Sequence, residues 1–311
     1  MKNIIEVENL TKKYGSFVAV NNISFEGEEG DVVAFLGPNG AGKTTTMRIL
    51  TCYIPATLGT ARIDGFDIFN DSFKVRERIG YAPEIPPLYP DMTVKSFLKF
   101  VAQIKQIPAG QVNMAVDKVT ELCALSEMKT RLISKLSRGY RQRVGIAQAI
   151  IHNPKVIILD EPTVGLDPNQ VVEMREVIKN LANDKTVMIS THILSEAEAM
   201  CKKVIIINKG EITAQGQWVD LQQDIQEMIV IKMKIPDIND EKINKIKTLE
   251  NVNDIEVLED KTIKIYTPKK TNIKPKLIKL LAENDWSIDE MVSEKLNLEE
   301  IFKRSTVSKK V

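Results

Sequence analysis

The run Gly37-Pro38-Asn39-Gly40-Ala41-Gly42-Lys43-Thr44-Thr45 constrains this chain more than any other stretch. It fits G-x-x-x-x-G-K-[ST], a loop whose successive backbone N–H groups curl around phosphate oxygens. Gly37, Gly40 and Gly42 permit that path, because a Cβ there would clash with the anion. Lys43 offers a point charge to the β- and γ-phosphates, and Thr44 offers a hydroxyl to Mg²⁺. The flanks agree. The apolar run from Asp31 to Leu36 reads as a buried strand, and Thr44 to Leu50 as the following helix, with its positive dipole end toward the anion. A glycine-rich turn without a ligand is the bland alternative. It leaves the Lys-Thr pair and the helix unexplained.

With 311 residues, the chain has room for one large domain or two ordinary ones. Its 43 Lys and Arg against 42 Asp and Glu leave a formal charge of +1. No clustered basic excess marks a nucleic-acid footprint, so no nucleic acid is expected as a partner. Cys52, Cys123 and Cys201 are scattered, without metal-ligand or disulfide spacing, and fit small apolar residues in a reducing compartment. No run approaches the roughly 18 apolar residues that cross a bilayer. The start, Met1-Lys2-Asn3-Ile4-Ile5, opens a strand pattern rather than a signal peptide. These features predict a cytoplasmic chain that serves a membrane process only by docking on another subunit.

Residues 1 to about 85 read as strand-rich. From about 86 to 152, apolar positions recur at helical spacing: Val94, Phe97, Leu98, Val101 and Ile104, then Val112, Val116, Val119 and Leu122. Thr93 suits the N-cap of the first helix, without a full capping box because Ser96 occupies the third position. This block reads as a helical insert. Strand–helix alternation resumes at Lys155, with strands Val156–Leu159 and Thr186–Ser190, a helix near Gln170–Asn180, and a hairpin turning at Lys209-Gly210. The pattern predicts a mostly parallel sheet with helices on both faces. A first domain is expected over 1–222.

The remaining 223–311 predict a second, α+β domain. Strands at Ile229–Ile235, Ile255–Val257, Ile263–Ile265 and Trp286–Val292 alternate with helices at Asp240–Thr248 and Lys274–Ala282, with a turn at Glu259-Asp260. The order β-α-β-β-α-β points to a small ferredoxin-like accessory module.

Two further clusters carry chemistry. Val156 to Glu161 is an apolar strand ending in two acids. Asp160 suits a Mg²⁺ site through water, and Glu161 suits a base that deprotonates water beside the γ-phosphate. Solvated acids capping a strand are the alternative, weakened by the phosphate loop upstream. Leu136-Ser137-Arg138-Gly139-Tyr140-Arg141-Gln142 precedes a helix, placing Ser137 and Gly139 at its N-terminus, an anion-binding position.

The order of Gly37–Thr45, Leu136–Gln142, Leu159-Asp160-Glu161-Pro162-Thr163, Gly165-Leu166-Asp167 and Ser190-Thr191-His192 resembles the ATP-binding cassette ATPases of transporters, over roughly the first 220 residues. Within that family the chain is similar to ATPases of bacterial type-2 exporters, near the gliding-motility-associated subgroup, whose carboxy-terminal extension ends in a Leu-Glu-Glu-Ile-Phe motif, here Leu298 to Phe302. The resemblance implies a P-loop NTPase fold, ATP and Mg²⁺ as ligands, and ATP hydrolysis. It implies that Tyr14 stacks on adenine, that the loop from Gly37 through Pro38, Asn39, Gly40, Ala41, Gly42, Lys43 and Thr44 to Thr45 holds the phosphates, and that Thr44, Glu84 and Asp160 serve the metal. Glu161 becomes the general base and His192 the switch on the γ-phosphate. Ser137 and Gly139 close on ATP held by a second subunit, and Asp167 crosses between subunits. A homodimer would then sit on integral membrane permease subunits at the inner face of the membrane, with Ile85, Leu88 and Tyr89 as contacts or, alternatively, as core of the insert.

Three residues depart from the family pattern. Arg138 stands for a Gly and Tyr140 for a Gln in the signature, and Glu84 stands where a Gln is usual. Two other readings compete: a soluble cassette ATPase uncoupled from transport, and a silent binding module. The first usually carries tandem cassettes or coiled-coil arms, absent here. The second conflicts with Lys43, Asp160, Glu161 and His192 standing together.

Overall fold

The computed structural model describes residues 2–221, 228–236, 238–258, 262–268 and 270–295. They divide into two compact units, one running to Trp218 and one beginning at Val219. The proposed boundary at 222/223 and the Leu298–Phe302 motif lie outside the described residues, as does the Glu259-Asp260 turn.

In the first unit the strands are β1 (Asn3–Tyr14), β2 (Phe17–Glu28), β3 (Val32–Leu36), β4 (Leu58–Ile63), β5 (Phe66–Asp67), β6 (Ile79–Ala82), β7 (Val156–Asp160), β8 (Thr186–Thr191), β9 (Lys203–Asn208) and β10 (Glu211–Gln217). The helices are α1 (Lys43–Leu50), α2 (Ser72–Arg78), α3 (Val94–Ile104), α4 (Val112–Leu122), α5 (Arg138–Ile150), α6 (Pro168–Ala182) and α7 (Leu194–Met200). The strands form two sheets. One is ordered β10-β9-β3-β8-β7-β6, the other β2-β1-β4-β5. In the first, β3, β6, β7, β8 and β9 run parallel and β10 alone is antiparallel. Every residue of β3, β7 and β8 is buried. That is why these strands read as unbroken apolar runs, being covered on both faces.

The core lies between the sheets. It joins Ile5 and Leu10 of β1, Phe25 of β2 and Ile63 of β4 to Phe35 of β3, Ile158 of β7, and Met47 and Leu50 of α1. The second sheet, all antiparallel, is what the strand-rich reading of 1 to 85 left unresolved. The β9–β10 hairpin turns where expected. Lys209 and Gly210 both have positive φ, 49° and 83°, the backbone of the tight turn that matches strand twist.

The helical block comprises α3, α4 and α5. Thr93 caps α3 by accepting from Ser96 N–H at 3.2 Å. α5 lies so close to β6 that a Cβ on Gly80 would stand 2.3 Å from the Ala149 carbonyl oxygen. Cys123 and Cys201 are buried free thiols. Burial pushes the Cys123 thiol up to about 12 and raises that of Cys201 as well, so neither is poised to react.

In the second unit β11 (Met228–Lys234), α8 (Asp240–Lys247), β12 (Asp254–Val257), β13 (Thr262–Pro268), α9 (Lys274–Glu283) and β14 (Glu290–Lys295) build an antiparallel sheet ordered β12-β13-β11-β14, the ferredoxin-like arrangement. Ile231, Met233, Ile263, Ile265, Leu277 and Leu281 form its own core. The last strand starts at Glu290, not at Trp286. Trp286 instead closes α9. Asp285 turns left-handed at φ 55°, and Trp286 N–H reaches back to the Leu281 carbonyl at 2.9 Å, a helix-ending motif that the apolar tryptophan seals.

The tight β6–α5 contact yields a prediction. Gly80→Ala forces apart two backbones and should destabilise the first unit by about 1–3 kcal/mol, seen as a lower denaturation midpoint. Gly110→Ala, whose Cβ meets nothing within 4 Å, should leave that midpoint nearly unchanged. Equal midpoints for wild type and Gly80→Ala would refute the packing argument.

Candidate active site

Parallel strands carry their loops to one end of the sheet, and here the ends of β3, β7 and β8 converge. The loop after β3 leads into α1. Two of its glycines are required by the protein's own backbone as well as by a close-lying ligand. A Cβ on Gly37 would lie 2.3 Å from the Ile207 carbonyl oxygen, and Gly42, at φ 106°, faces the Ala19 carbonyl at 2.6 Å.

Lys43 opens α1 and is only 5% exposed. Its ammonium donates to the Gly37 carbonyl at 2.7 Å and the Pro38 carbonyl at 3.1 Å, and pairs with Glu161 Oε1 at 3.1 Å. The other Glu161 oxygen, Oε2, meets His192 Nδ1 at 2.9 Å. One buried carboxylate therefore sits between a cation and an imidazole. Glu161 holds its backbone at φ 49°, a left-handed conformation costly for a residue with a side chain. Its N–H is anchored to Ser190 twice, at 3.0 Å to the hydroxyl and 3.2 Å to the carbonyl.

Asp160, 1% exposed, accepts from the Ser190 hydroxyl and, at 3.3 Å, from the Thr44 hydroxyl. Burial and the nearby Asp160 carboxylate push the Tyr81 phenol up to about 12. Ser190 thus ties Asp160 of β7, and Glu161 just after it, to β8. A second tie lies beneath. Glu196 on α7, 3% exposed, accepts from Thr163 and, at 3.1 Å, from Thr191. Ser190, Thr163 and Glu196 went unassigned in the sequence reading. A short polar residue ending an apolar strand, and an acid one turn into the next helix, were the available signals.

These groups open on a cavity of about 360 Å³ lined by Asn39, Gly40, Gly42, Lys43, Thr44, Thr45, Glu84, Glu161 and His192, with Phe17, Ala19 and Val164. Pro38 and Ala41 belong to the same loop, with Ala41 buried and its N–H on the Pro38 carbonyl. Tyr14 is not among the lining residues. It is half exposed, with the Lys12 ammonium 5.1 Å from its ring centre, and it pairs across the hairpin with Phe17, which does line the cavity.

Ser137, Gly139 and Asp167 also stand outside this lining. Ser137 caps α5 by accepting from Tyr140 N–H, and Asp167 caps α6 by accepting from Gln170 N–H at 3.0 Å. The two segments touch each other. A Cβ on Gly165 would fall 2.4 Å from Arg138 Nη1, and one on Gly139 would fall 2.7 Å from Gln170 Oε1. Arg138 therefore lies along the Gly165–Asp167 segment of its own chain.

Among the described residues no group of three or more His, Cys, Asp or Glu could hold a metal by itself. Thr44 and the exposed Glu84 are hard oxygen donors that line the cavity, and Asp160 lies behind Thr44, 3.3 Å from its hydroxyl. They fit Mg²⁺ completed by phosphate oxygens and water, and do not fit a self-sufficient metal centre.

Comparison with known proteins accords with this geometry. The family model for ABC transporters matches residues 20–164. The bacitracin transport ATP-binding protein of Bacillus licheniformis is 35% identical over 304 residues, covering 97% of both chains. The linearmycin resistance ATP-binding protein of Bacillus subtilis is 32% identical over 257 residues, 83% of this chain and 84% of the relative. A dimeric ATP-binding cassette, solved in a post-hydrolysis state with ADP and Pi, matches with a TM-score of 0.62 and 26% identity over 68% of this chain and 98% of that one. The chain belongs to the ABC transporter family, as an ATP-binding and ATP-hydrolysing subunit.

Proposed function

We propose that this chain energises an exporter as a head-to-tail homodimer, docked through integral membrane permease subunits on the inner face of the membrane. The observation that carries the reading is a half-built site. The cavity holds Lys43, Thr44, Glu161 and His192 on one wall, while Ser137 and Gly139 lie outside its lining. A second copy supplies the missing wall under a two-fold axis. The names of the bacitracin and linearmycin relatives support the exporter role. No helix among the described residues is long and apolar enough to cross a membrane, so the pathway for cargo belongs to a partner. Ile85, 80% exposed, and Tyr89, 51% exposed, lie just past Glu84 and suit contact with that partner.

In this reading the γ-phosphate takes Lys43 from Glu161, freeing the carboxylate to act as base. A water oxygen attacks the γ-phosphorus and its proton passes to Glu161. The bond to the β-phosphate oxygen breaks, leaving ADP and phosphate. His192, released from Glu161 Oε2, turns to a γ-phosphate oxygen. Thr44, Asp160 and Glu84 would hold Mg²⁺, which would supply charge neutralisation for the phosphates. The aromatic pair Tyr14 and Phe17, at the turn of the β1–β2 hairpin, provides the surface for adenine. Cleavage breaks the covalent bridge, and departure of the phosphate lowers the charge that joins the two copies, so that they separate.

Glu161→Gln should lower ATP turnover about 10²- to 10⁴-fold while ATP binding persists and a nucleotide-bound dimer accumulates in light scattering. Lys43→Ala should abolish tight binding instead. Undiminished turnover in Glu161→Gln would remove the proposed base. A separate variant tests the support beneath it. Ser190→Ala deletes the hydroxyl that Asp160 and Glu161 N–H share, and should destabilise the fold by about 1–3 kcal/mol. Its turnover should fall by more than its ATP affinity. A loss confined to affinity would show that Ser190 does not position Glu161.

A further inference from the structure

The charges around the nucleotide cavity do not balance, and Glu84 is the group left over. β6 runs parallel to β7 with Ala82 opposite Leu159, so the chain leaving β6 carries Glu84 past the sheet end where β7 delivers Asp160 and Glu161. Glu84 is exposed and lines the cavity with Lys43 and Thr44. It forms no hydrogen bond or ion pair among the described residues. Lys43 is already matched by Glu161 at 3.1 Å, and Asp160 is held by the Ser190 and Thr44 hydroxyls. Three carboxylates therefore stand at or behind the cavity, against one ammonium.

The backbone holds that carboxylate where it is. Pro83 fixes its own φ just before Glu84. Two residues further on, the Pro86 ring lies against α5, so close that a Cβ on Gly145 would stand 2.4 Å from Pro86 Cγ. The charge of Glu84 is thus offered to whatever enters the cavity. A bare polyphosphate meets like charge there, and by taking Lys43 it leaves Glu161 uncompensated, which adds to the repulsion. A polyphosphate carrying Mg²⁺ brings two positive charges and presents a hard cation to the same carboxylate. A Gln at this position would also offer an oxygen to the metal, but it would not repel the bare anion. The charge of Glu84 therefore adds discrimination between the two forms of the ligand, over and above an oxygen for the metal.

We propose that Glu84 is a specificity-determining residue, which makes the cavity take metal-bound nucleotide and reject metal-free nucleotide. This role rests on the proposed use of the cavity to hold phosphates beside Lys43 and Thr44. It goes beyond that use, because an oxygen that holds a metal does not by itself exclude the bare anion. It is independent of the direction of transport and of the dimer.

Equilibrium binding of a non-hydrolysable fluorescent ATP analogue to the full-length protein, in excess Mg²⁺ and again in EDTA, gives the ratio of the two affinities without turnover. Glu84→Gln should lower that ratio about tenfold or more, chiefly by tightening binding in EDTA. Glu84→Asp, which keeps the charge, should retain most of the preference for the metal-bound form. An unchanged ratio in Glu84→Gln would overturn the proposal. So would a ratio that falls only through weaker binding in Mg²⁺, which would make Glu84 a metal ligand and nothing more. Lys43→Ala, measured alongside, keeps the two readings apart. Binding lost in Lys43→Ala together with an unchanged ratio in Glu84→Gln rejects the role of Glu84 alone. Undiminished binding in Lys43→Ala would instead overturn the reading of the cavity, and the role of Glu84 with it.

Discussion

A buried ammonium has to be surrounded by oxygen, and the placement of Lys43 follows from that requirement. Two loop carbonyls and the Glu161 carboxylate surround it. Removing one partner of such a pair leaves an uncompensated buried charge, at a cost of about 3–5 kcal/mol. The loop after β3 and the end of β7 are therefore locked in register through one ion pair. The sheet order makes the lock possible. β8 lies between β3 and β7, and it contributes the Ser190 hydroxyl and carbonyl that fix Glu161 from behind. In the proposed mechanism a phosphate arriving at the loop competes with Glu161 for Lys43, so that substrate binding and freeing of the carboxylate are two sides of one exchange of charge.

The same dependence explains why Glu161 tolerates a left-handed backbone. Its two bonds to Ser190 and its pairing with Lys43 and His192 over-determine its position, and a conformation costing about 1–3 kcal/mol is stored where chemistry is expected. The layer below is equally specific. Glu196 bridges Thr163 and Thr191 in the interior, so the segment after β7 and the end of β8 are held by one buried carboxylate. Asp160, Glu161 and Glu196 are each satisfied by hydroxyls or by a cation from a neighbouring strand or loop. That pattern is preorganisation, because the groups stand in place before any ligand makes demands on them.

Much of this was legible in the chain, for physical reasons that differ by element. β3, β7 and β8 could be read because strands buried on both faces need unbroken apolar runs. α3 could be read because Thr93 supplies a cap and the apolar stripe repeats at helical spacing. The pairing of β1 with β4, and the separate antiparallel sheet it creates, could not, since strand partners distant in sequence leave no local trace. Short α2 was missed because seven residues with one buried position show no stripe. The start of β14 was misplaced because Trp286 is apolar for a different purpose, sealing a helix end. At the site, residues that touch ligand chemistry stand in motifs, whereas Ser190 and Glu196 act on other side chains and show their role only once the strands are side by side.

The signature segment shows what remains when one chain has been accounted for. Ser137, Arg138 and Gly139 are spoken for within the chain only in part: Ser137 caps a helix, Arg138 lies on Gly165, and Gly139 abuts Gln170. Ser137 satisfies one first-turn N–H of α5, that of Tyr140, and the positive end of this 13-residue helix favours an anion in front of it. The loop at Lys43 has the complementary surplus, a cavity that can enclose a triphosphate on one side only. A cationic helix end without an anion and a phosphate loop without a second wall are matching deficits. The proposed pair, two copies related by a two-fold axis, would satisfy both at once, with the nucleotide charge between them. Arg138, lying against Gly165, ties the signature to the Gly165 turn within its own chain.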